Sequence, residues 1–357
     1  MRVTHVVPAL FGPDGVVGGA ERYVYELARH MAERTPTTLL TFGAADRDEQ
    51  RGALRIRVVG RPWLVRTQAS NPFAMRALFA LRDTDIVHCH QQHILMSSAT
   101  AAIGRLLNRP VFVTDHGGGG WDVSSYVSTD SWFRGHLFVS EFSRRHAGHG
   151  GRATSRVILG GVDVLRFSPE PNSCRRRVAF VGRLLPHKGV DYLIEGLPPG
   201  VGLDVIGRPM DPRYADDLRK IAVGKDIRFL HDATDDDIIR AYRSALCVVL
   251  PSVYRDRYGN ESGVPELLGQ TLLEGMACGA PAICTDVTSM PEIVQDGLSG
   301  FVVPPNDASA IRDRIQLLAS DGARLEDMSR AARRRVEHKF MWRSVVDRCL
   351  DAYRTLA

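Results

Sequence analysis

"RFSPEPNSCRRRVAFVGRLLPHKG", residues 166–189, decides how the chain is divided. Its first half, 166–177, is polar and proline-bearing, as a linker is. Its second half is an apolar run that stops at Gly182 and gives way to a loop carrying Arg183 and Lys188. The same pattern lies on both sides. Before it, "RVTHVV", "TTLLTF", "LRIRVVG", "DIVHCH", "PVFVTDH", "HLFVS" and "RVILGG" read as strands, and "AERYVYELARHMAER" as a helix. After it, "RRVAFVGR", "GLDVIGR", "IRFLHD", "LCVVLPSV", "APAICTD" and "GFVVPP" read as strands with helical stretches between them. Strands alternating with helices indicate parallel βαβ units. The expected class is α/β: two doubly wound, Rossmann-like domains, each with a mostly parallel sheet. The expected domains are 1–167 and 168–337, with 338–357 an amphipathic helix returning to the first. Ligands of open α/β sheets bind beyond the carboxyl ends of the strands. The chemistry is therefore expected in strand-to-helix loops around a shared cleft.

The bulk properties agree with this division. A chain of 357 residues exceeds one ordinary core and suits two. With 44% apolar and 24% charged residues the composition is globular. No run approaches the ~18 apolar residues of a membrane span, and "MRVTHVVPAL" lacks a signal peptide's apolar core. The six cysteines are scattered, with no CxxC, and read as free thiols. A cytoplasmic location is expected. The net charge of +5 lies in residues 1–165, where 19 arginines face 14 carboxylates. That excess is too small for a nucleic-acid binder and allows at most peripheral contact with an anionic membrane.

Four stretches can carry chemistry. "GGAE", residues 18–21, puts Gly18 and Gly19 at the start of the first helix, where backbone can approach an anion closely; a plain tight turn reads equally well. "FVGRLLPHKG", 180–189, sets Arg183 and Lys188 in the loop after a strand ending at Gly182. Two cations there suit a diphosphate, although solvated loop charges look the same. Lys188 is one of only four lysines. "ELLGQTLLEGMACGAPAIC", 266–284, predicts a helix beginning near Gly269 and Gln270. The amides of Gly269, Gln270, Thr271 and Leu272 would form an anion site at its tip. Glu266 precedes that tip and Glu274 lies one turn in, and both can accept from sugar hydroxyls. Compensation of the helix dipole would explain Glu266 alone, but not a carboxylate inside an apolar helix. "TDHGGGGW", 114–121, places His116 at a strand end before four glycines, as a polar ligand contact or a structural histidine. Two stretches look metal-like and are set aside. In "HCHQQH", 88–93, strand alternation puts His88 and His90 on one face and Cys89 on the other. "TDDDI", 234–238, reads as a helix cap. Neither a metal nor a cofactor is expected.

These motifs together resemble the retaining glycosyltransferases of family 4, which have the GT-B fold. The likeness spans the whole chain and rests on "GGAE", "VGRLLPHKG" and "PELLGQTLLEGMACGAPAICTD…MPEIVQDGLSGFVVPPND", close to that family's E-x7-E signature. It implies that Arg183 and Lys188 hold a donor diphosphate beside Gly182 and the 269–272 tip. It implies that Glu274 binds the ribose, Glu266 the donor sugar and His116 the transferring sugar, with Gly18 and Gly19 near donor and acceptor. The partners implied are a nucleoside-diphosphate sugar and a hydroxyl acceptor, whether small molecule, glycan or lipid-linked; the Ala-, Gly- and Arg-rich composition points to a bacterial glycan or natural product. The chain departs from the family at "VYRDRYGNESGVP", 253–265, roughly ten residues longer than usual before the first glutamate; at His231, where glycine is common; and at Gly160, where asparagine is common. A nucleotide-sugar epimerase of similar architecture and a non-catalytic sugar-nucleotide-binding subunit remain as alternatives. An NAD oxidoreductase is disfavoured because no G-x-G-x-x-G follows either first strand.

Overall fold

The structure, a computed structural model, describes residues 1–10, 19–79, 81–117, 120–171 and 174–357. They form two compact units, Met1–Gly161 with Trp342–Ala357, and Val162–Met341.

In the first unit the strands are β1 (Val3–Leu10), β2 (Thr37–Gly43), β3 (Arg47–Arg51), β4 (Leu54–Gly60), β5 (Trp63–Leu64), β6 (Pro72–Phe73), β7 (Ile86–His90), β8 (Val111–Thr114), β9 (Gly135–Phe138) and β10 (Ser155–Val157). Its helices are α1 (Gly19–Ala32), α2 (Met75–Phe79), α3 (Leu95–Leu106) and α4 (Glu141–His146). The main sheet runs β10-β9-β8-β7-β1-β2-β4-β3, parallel except for the antiparallel β3–β4 pair. Strand order turns back at β1, between β2 and β7, the kind of point at which doubly wound sheets in general bind ligands. One sheet face packs Val87, Cys89, Val111 and Val113 into an apolar cluster with Met96 and Ala101 of α3. Alternation along β7 therefore sends His88 and His90 to the other face.

The second unit contains β11 (Arg177–Val181), β12 (Gly202–Ile206), β13 (Ile227–Leu230), β14 (Ala245–Leu250), β15 (Ala282–Thr285) and β16 (Gly300–Val303). Its helices are α5 (Val190–Glu195), α6 (Pro212–Ile221), α7 (Asp235–Ser244), α8 (Gln270–Ala277), α9 (Met290–Ile293), α10 (Ala308–Ser320) and α11 (Gly322–Lys339). All its strand pairs are parallel, in the order β13-β12-β11-β14-β15-β16. Every residue of β14 is buried, the near-continuous apolar run of a strand covered on both faces. The order turns back between β11 and β14, and the loops leaving these strands hold Lys188 and Glu266.

The last helix, α12 (Trp342–Leu356), belongs to the first unit and buries Trp342, Val345, Val346, Cys349, Leu350 and Tyr353. The units divide at Gly161/Val162 and Met341/Trp342, where the sequence suggested 167/168 and 337/338. The stretch after Val162 is held to the second unit by guanidiniums. Arg333 donates to the carbonyls of Val164 and Phe167, and Arg243 to that of Ser168. Polar linker-like composition here marks carbonyls bound by arginine.

Candidate functional site

The loop after β11 begins at Gly182 and passes Arg183, which is exposed. It then makes a 3-10 turn over Pro186–Lys188 and enters α5 at Gly189. Gly189 has φ +66°, and a Cβ there would lie 2.1 Å from the carbonyl oxygen of Pro251 at the end of β14. Only glycine allows the two loops to meet so closely. The contact brings Lys188 to the residues that follow β14. Its Nζ donates to Glu266 Oε2 at 2.8 Å and to the Pro265 carbonyl at 3.1 Å. An ammonium has three donors, so one remains for a ligand.

Glu266 joins the lysine to the helix tip. Its Oε1 accepts from the Gly269 amide at 3.1 Å and the Leu268 amide at 3.4 Å. Burial pushes this carboxyl up, but the Lys188 ammonium and the two amides outweigh it and hold the group below its usual value. Gly269 is the N-cap of α8, at φ +63°, and brings no side-chain oxygen; its carbonyl accepts from the Leu272 amide at 2.9 Å, so that amide is taken up within the helix turn. Glu274 is almost fully buried on α8 and accepts from the Tyr242 hydroxyl of α7 at 3.2 Å. The loop after β15 fixes the other side: the Thr288 and Ser289 hydroxyls donate to the carbonyls of Glu266 and Leu267. Arg183 makes no hydrogen bond to any of these groups.

Residues 253–265 fold onto the same unit. Asp256 accepts from the amides of Tyr258 and Asn260, closing a turn. The Tyr258 hydroxyl donates to Asp217 at 2.7 Å, with the Arg213 guanidinium over its ring. The Tyr254 hydroxyl accepts from the Thr288 amide, so this loop also braces the backbone beneath Glu266. His231 closes on its own sheet, with Nδ1 2.9 Å from the Gly207 carbonyl.

His116 belongs to the first unit, two residues past β8. His90 Nδ1 lies 3.0 Å from His116 Nε2, and His5 Nδ1 lies 2.9 Å from His90 Nε2. The chain ends at Met31 Sδ, 3.2 Å from His5 Nε2. Burial holds His5 down to about 3 and His116 to about 4, so both are neutral near pH 7. A thioether sulfur accepts but cannot donate. Proton accounting then assigns N–H to Nε2 of His5, of His90 and of His116 in turn, which leaves His116 Nδ1 as a bare acceptor. His88 bonds Thr114 Oγ1 at 2.8 Å and the Tyr353 hydroxyl at 2.7 Å. His5, His88 and His90 lie close enough together to hold a metal ion, yet every ring nitrogen among them has a partner. Gly19 opens α1 with nothing among the described residues within 4 Å of its Cβ position; Gly18 lies outside the described residues. Among the described residues no helix is long and apolar enough to cross a membrane.

Two family profiles match the chain: "Glycosyltransferase Family 4" over residues 17–166 and "Glycosyl transferases group 1" over 162–335. A D-inositol 3-phosphate glycosyltransferase of Saccharomonospora viridis is 29% identical over 231 residues, covering 56% of this chain and 49% of its own. A GDP-mannose-dependent monoacylated alpha-(1-6)-phosphatidylinositol monomannoside mannosyltransferase of Corynebacterium glutamicum is 29% identical over 234 residues, covering 59% of each. The chain spans about half the length of the curated relatives it matches first. Anabaena HepE, solved in complex with UDP, superposes with a TM-score of 0.75 over 100% of both chains at 17% identity, a likeness of fold. On these matches the chain belongs to glycosyltransferase family 4 and has the GT-B fold.

Proposed function

We propose that this protein transfers a sugar from a nucleoside-diphosphate sugar, UDP- or GDP-linked, to a hydroxyl of a small-molecule, saccharide or lipid-linked acceptor, retaining the anomeric configuration. The observation that carries this reading is the cluster of Lys188, Glu266 and the Gly269 helix tip at the crevice of the second unit. The third Lys188 donor and the positive end of α8 at Gly269, Gln270 and Thr271 hold the diphosphate, with Arg183 closing from the loop beside Gly182. Glu274 takes the ribose hydroxyls and Glu266 the donor sugar. His116 Nδ1 accepts from a hydroxyl of the transferring sugar. Gly18 and Gly19 give the donor and acceptor close approach to backbone. The relative that is GDP-mannose-dependent by name and the neighbour solved with UDP support the donor class.

In the reaction the bond from C1 to the leaving phosphate oxygen breaks and the acceptor oxygen bonds C1 on the same face. The acceptor's proton passes to the departing phosphate. Negative charge gathers on the diphosphate, where Lys188 and the helix tip stand oriented and Arg183 closes in from its loop. Preorganised donors of this kind each contribute about 10²–10³ in rate. They do the work of a divalent ion, so turnover is expected without added magnesium. All six cysteines are free and five are buried, in keeping with a cytoplasmic enzyme.

The test has two stages. A thermal-shift screen over UDP-, GDP-, ADP- and dTDP-sugars identifies the donor, since a ligand bound only by the native state raises its stability. Turnover is then followed in Lys188→Ala and Glu266→Ala, both checked for folding. Losses of about a hundredfold or more support the reading. Wild-type rates in both variants contradict it, as does a new sugar isomer formed from donor alone, which would mark an epimerase.

A further inference from the structure

A second cluster in the first unit has no part in the proposed transfer. Asp130 stands at the start of a 3-10 turn, His136 on β9, and His149 in the loop after α4. Their ligand atoms lie within 4.8 Å of one another. His136 Nε2 is 3.9 Å from Asp130 Oδ1, and His149 Nε2 is 3.4 Å from Asp130 Oδ2. The imidazole rings are 4.2 Å apart between centroids. His136 is 3% exposed and His149 2%.

A neutral imidazole carries one donor and one acceptor, and buried polar groups in native proteins are almost always paired. His136 breaks that rule at both nitrogens: neither Nδ1 nor Nε2 has a hydrogen-bond partner, nor has His149 Nδ1. The Phe133 and Phe138 rings packed around the pair offer no replacement.

We propose that Asp130, His136 and His149 bind a divalent transition-metal ion of the zinc class. Two imidazoles and a carboxylate are a zinc-type ligand set. Metal–ligand bonds of ~2.0–2.1 Å put ligand atoms of a tetrahedral site about 3.3 Å apart. The ligand atoms, within 4.8 Å of one another, must draw together to reach that spacing, with Asp130 facing His136 through Oδ1 and His149 through Oδ2. The nitrogen ligands exclude magnesium and calcium, which take oxygen. Asp130 already has the supporting bonds of a ligating carboxylate: Gln92 Nε2 donates to Oδ1 at 2.8 Å and Arg152 to Oδ2 at 3.2 Å. The Asp130 side chain is 34% exposed, which leaves room for a water as fourth ligand. The ion ties β9, the loop after α4 and the 129–133 turn together, a structural role apart from sugar transfer.

Full-length protein is stripped with chelator and titrated with Co²⁺, whose visible absorption reports tetrahedral nitrogen–oxygen coordination. One equivalent is expected to bind, to be displaced by Zn²⁺ and not by Mg²⁺. Asp130→Asn, nearly isosteric and partly exposed, and His149→Gln are each expected to weaken binding more than a hundredfold. Cys174→Ser, at the exposed thiol, and His88→Gln are expected to leave it unchanged. Circular dichroism establishes that each variant is folded. The proposal is overturned if folded wild type binds no stoichiometric Co²⁺ or Zn²⁺, if binding survives in Asp130→Asn and His149→Gln, or if His88→Gln abolishes it.

Discussion

Lys188 and Glu266 sit 2.8 Å apart with little exposure on either side chain, so each answers for the other's charge. Removing one partner of such a pair leaves the other buried and unpaired, at a cost of about 3–5 kcal/mol. Lys188→Met and Glu266→Gln are each expected to lower stability by that order in chemical denaturation, and the double variant by less than the sum. Additive losses would mean that the pair is not coupled. The histidine chain makes a sharper claim. If Met31 Sδ fixes the proton on His5 Nε2, then ¹⁵N shifts of the imidazoles should show His116 Nδ1 unprotonated at pH 7. A protonated Nδ1 would reverse the chain and remove the acceptor assigned to the donor sugar. Lys188, Glu266 and His116 are all visible in the sequence because their types are unusual at strand ends. Tyr242, Thr288 and Ser289 are not, since nothing local separates them from ordinary surface residues. Their roles come from contacts 22 or more residues away.

At the scale of elements, both loops of the site turn on a glycine. A non-glycine residue in the left-handed region costs about 1–2 kcal/mol. Gly269→Ala adds only contacts of 3.1–3.2 Å to the Ile293 and Leu272 side chains, which can shift. A loss of about 1–2 kcal/mol is expected there. Gly189→Ala meets the Pro251 carbonyl oxygen itself at 2.1 Å. It is expected to cost more and also to move Lys188, so that donor affinity falls with stability. Equal losses for the two variants would count against this packing. The helix start at Gly269–Gln270 was legible because an apolar run follows a glycine after a polar loop. β3 was not legible: "RDEQR" has no apolar alternation, and it is a strand only because β4 pairs with it antiparallel. The 253–265 loop was recognisable as extra length, but its turn depends on how Asp256 meets Asn260 and Tyr258 meets Asp217.

For the whole molecule, all four tryptophans, Trp63, Trp121, Trp132 and Trp342, lie in the first unit, so their fluorescence reports its unfolding alone. That unit holds His5, His88 and His90 buried and His116 half-buried as neutral rings, all lowered chiefly by desolvation. An unfolded chain protonates histidine near 6.5 and so binds more protons than the native state below that pH. Stability is then fully present above about 6.5 and is lost progressively as pH falls toward about 4. With chelator present, the tryptophan-detected melting temperature is expected to fall steadily across that window. A flat profile would show that these histidines titrate normally. The division into two βα repeats was legible from strand and helix periodicity, whereas the unit boundaries follow arginine–carbonyl contacts that no periodicity reports. The central claim is that Lys188 and the α8 tip form one diphosphate pocket, and calorimetric titration of UDP and GDP into wild type and folded Lys188→Ala tests it most directly. The account requires saturable binding of at least one of these to wild type, weakened about a hundredfold in the variant; equal affinity in both proteins, or no binding to wild type, would contradict it.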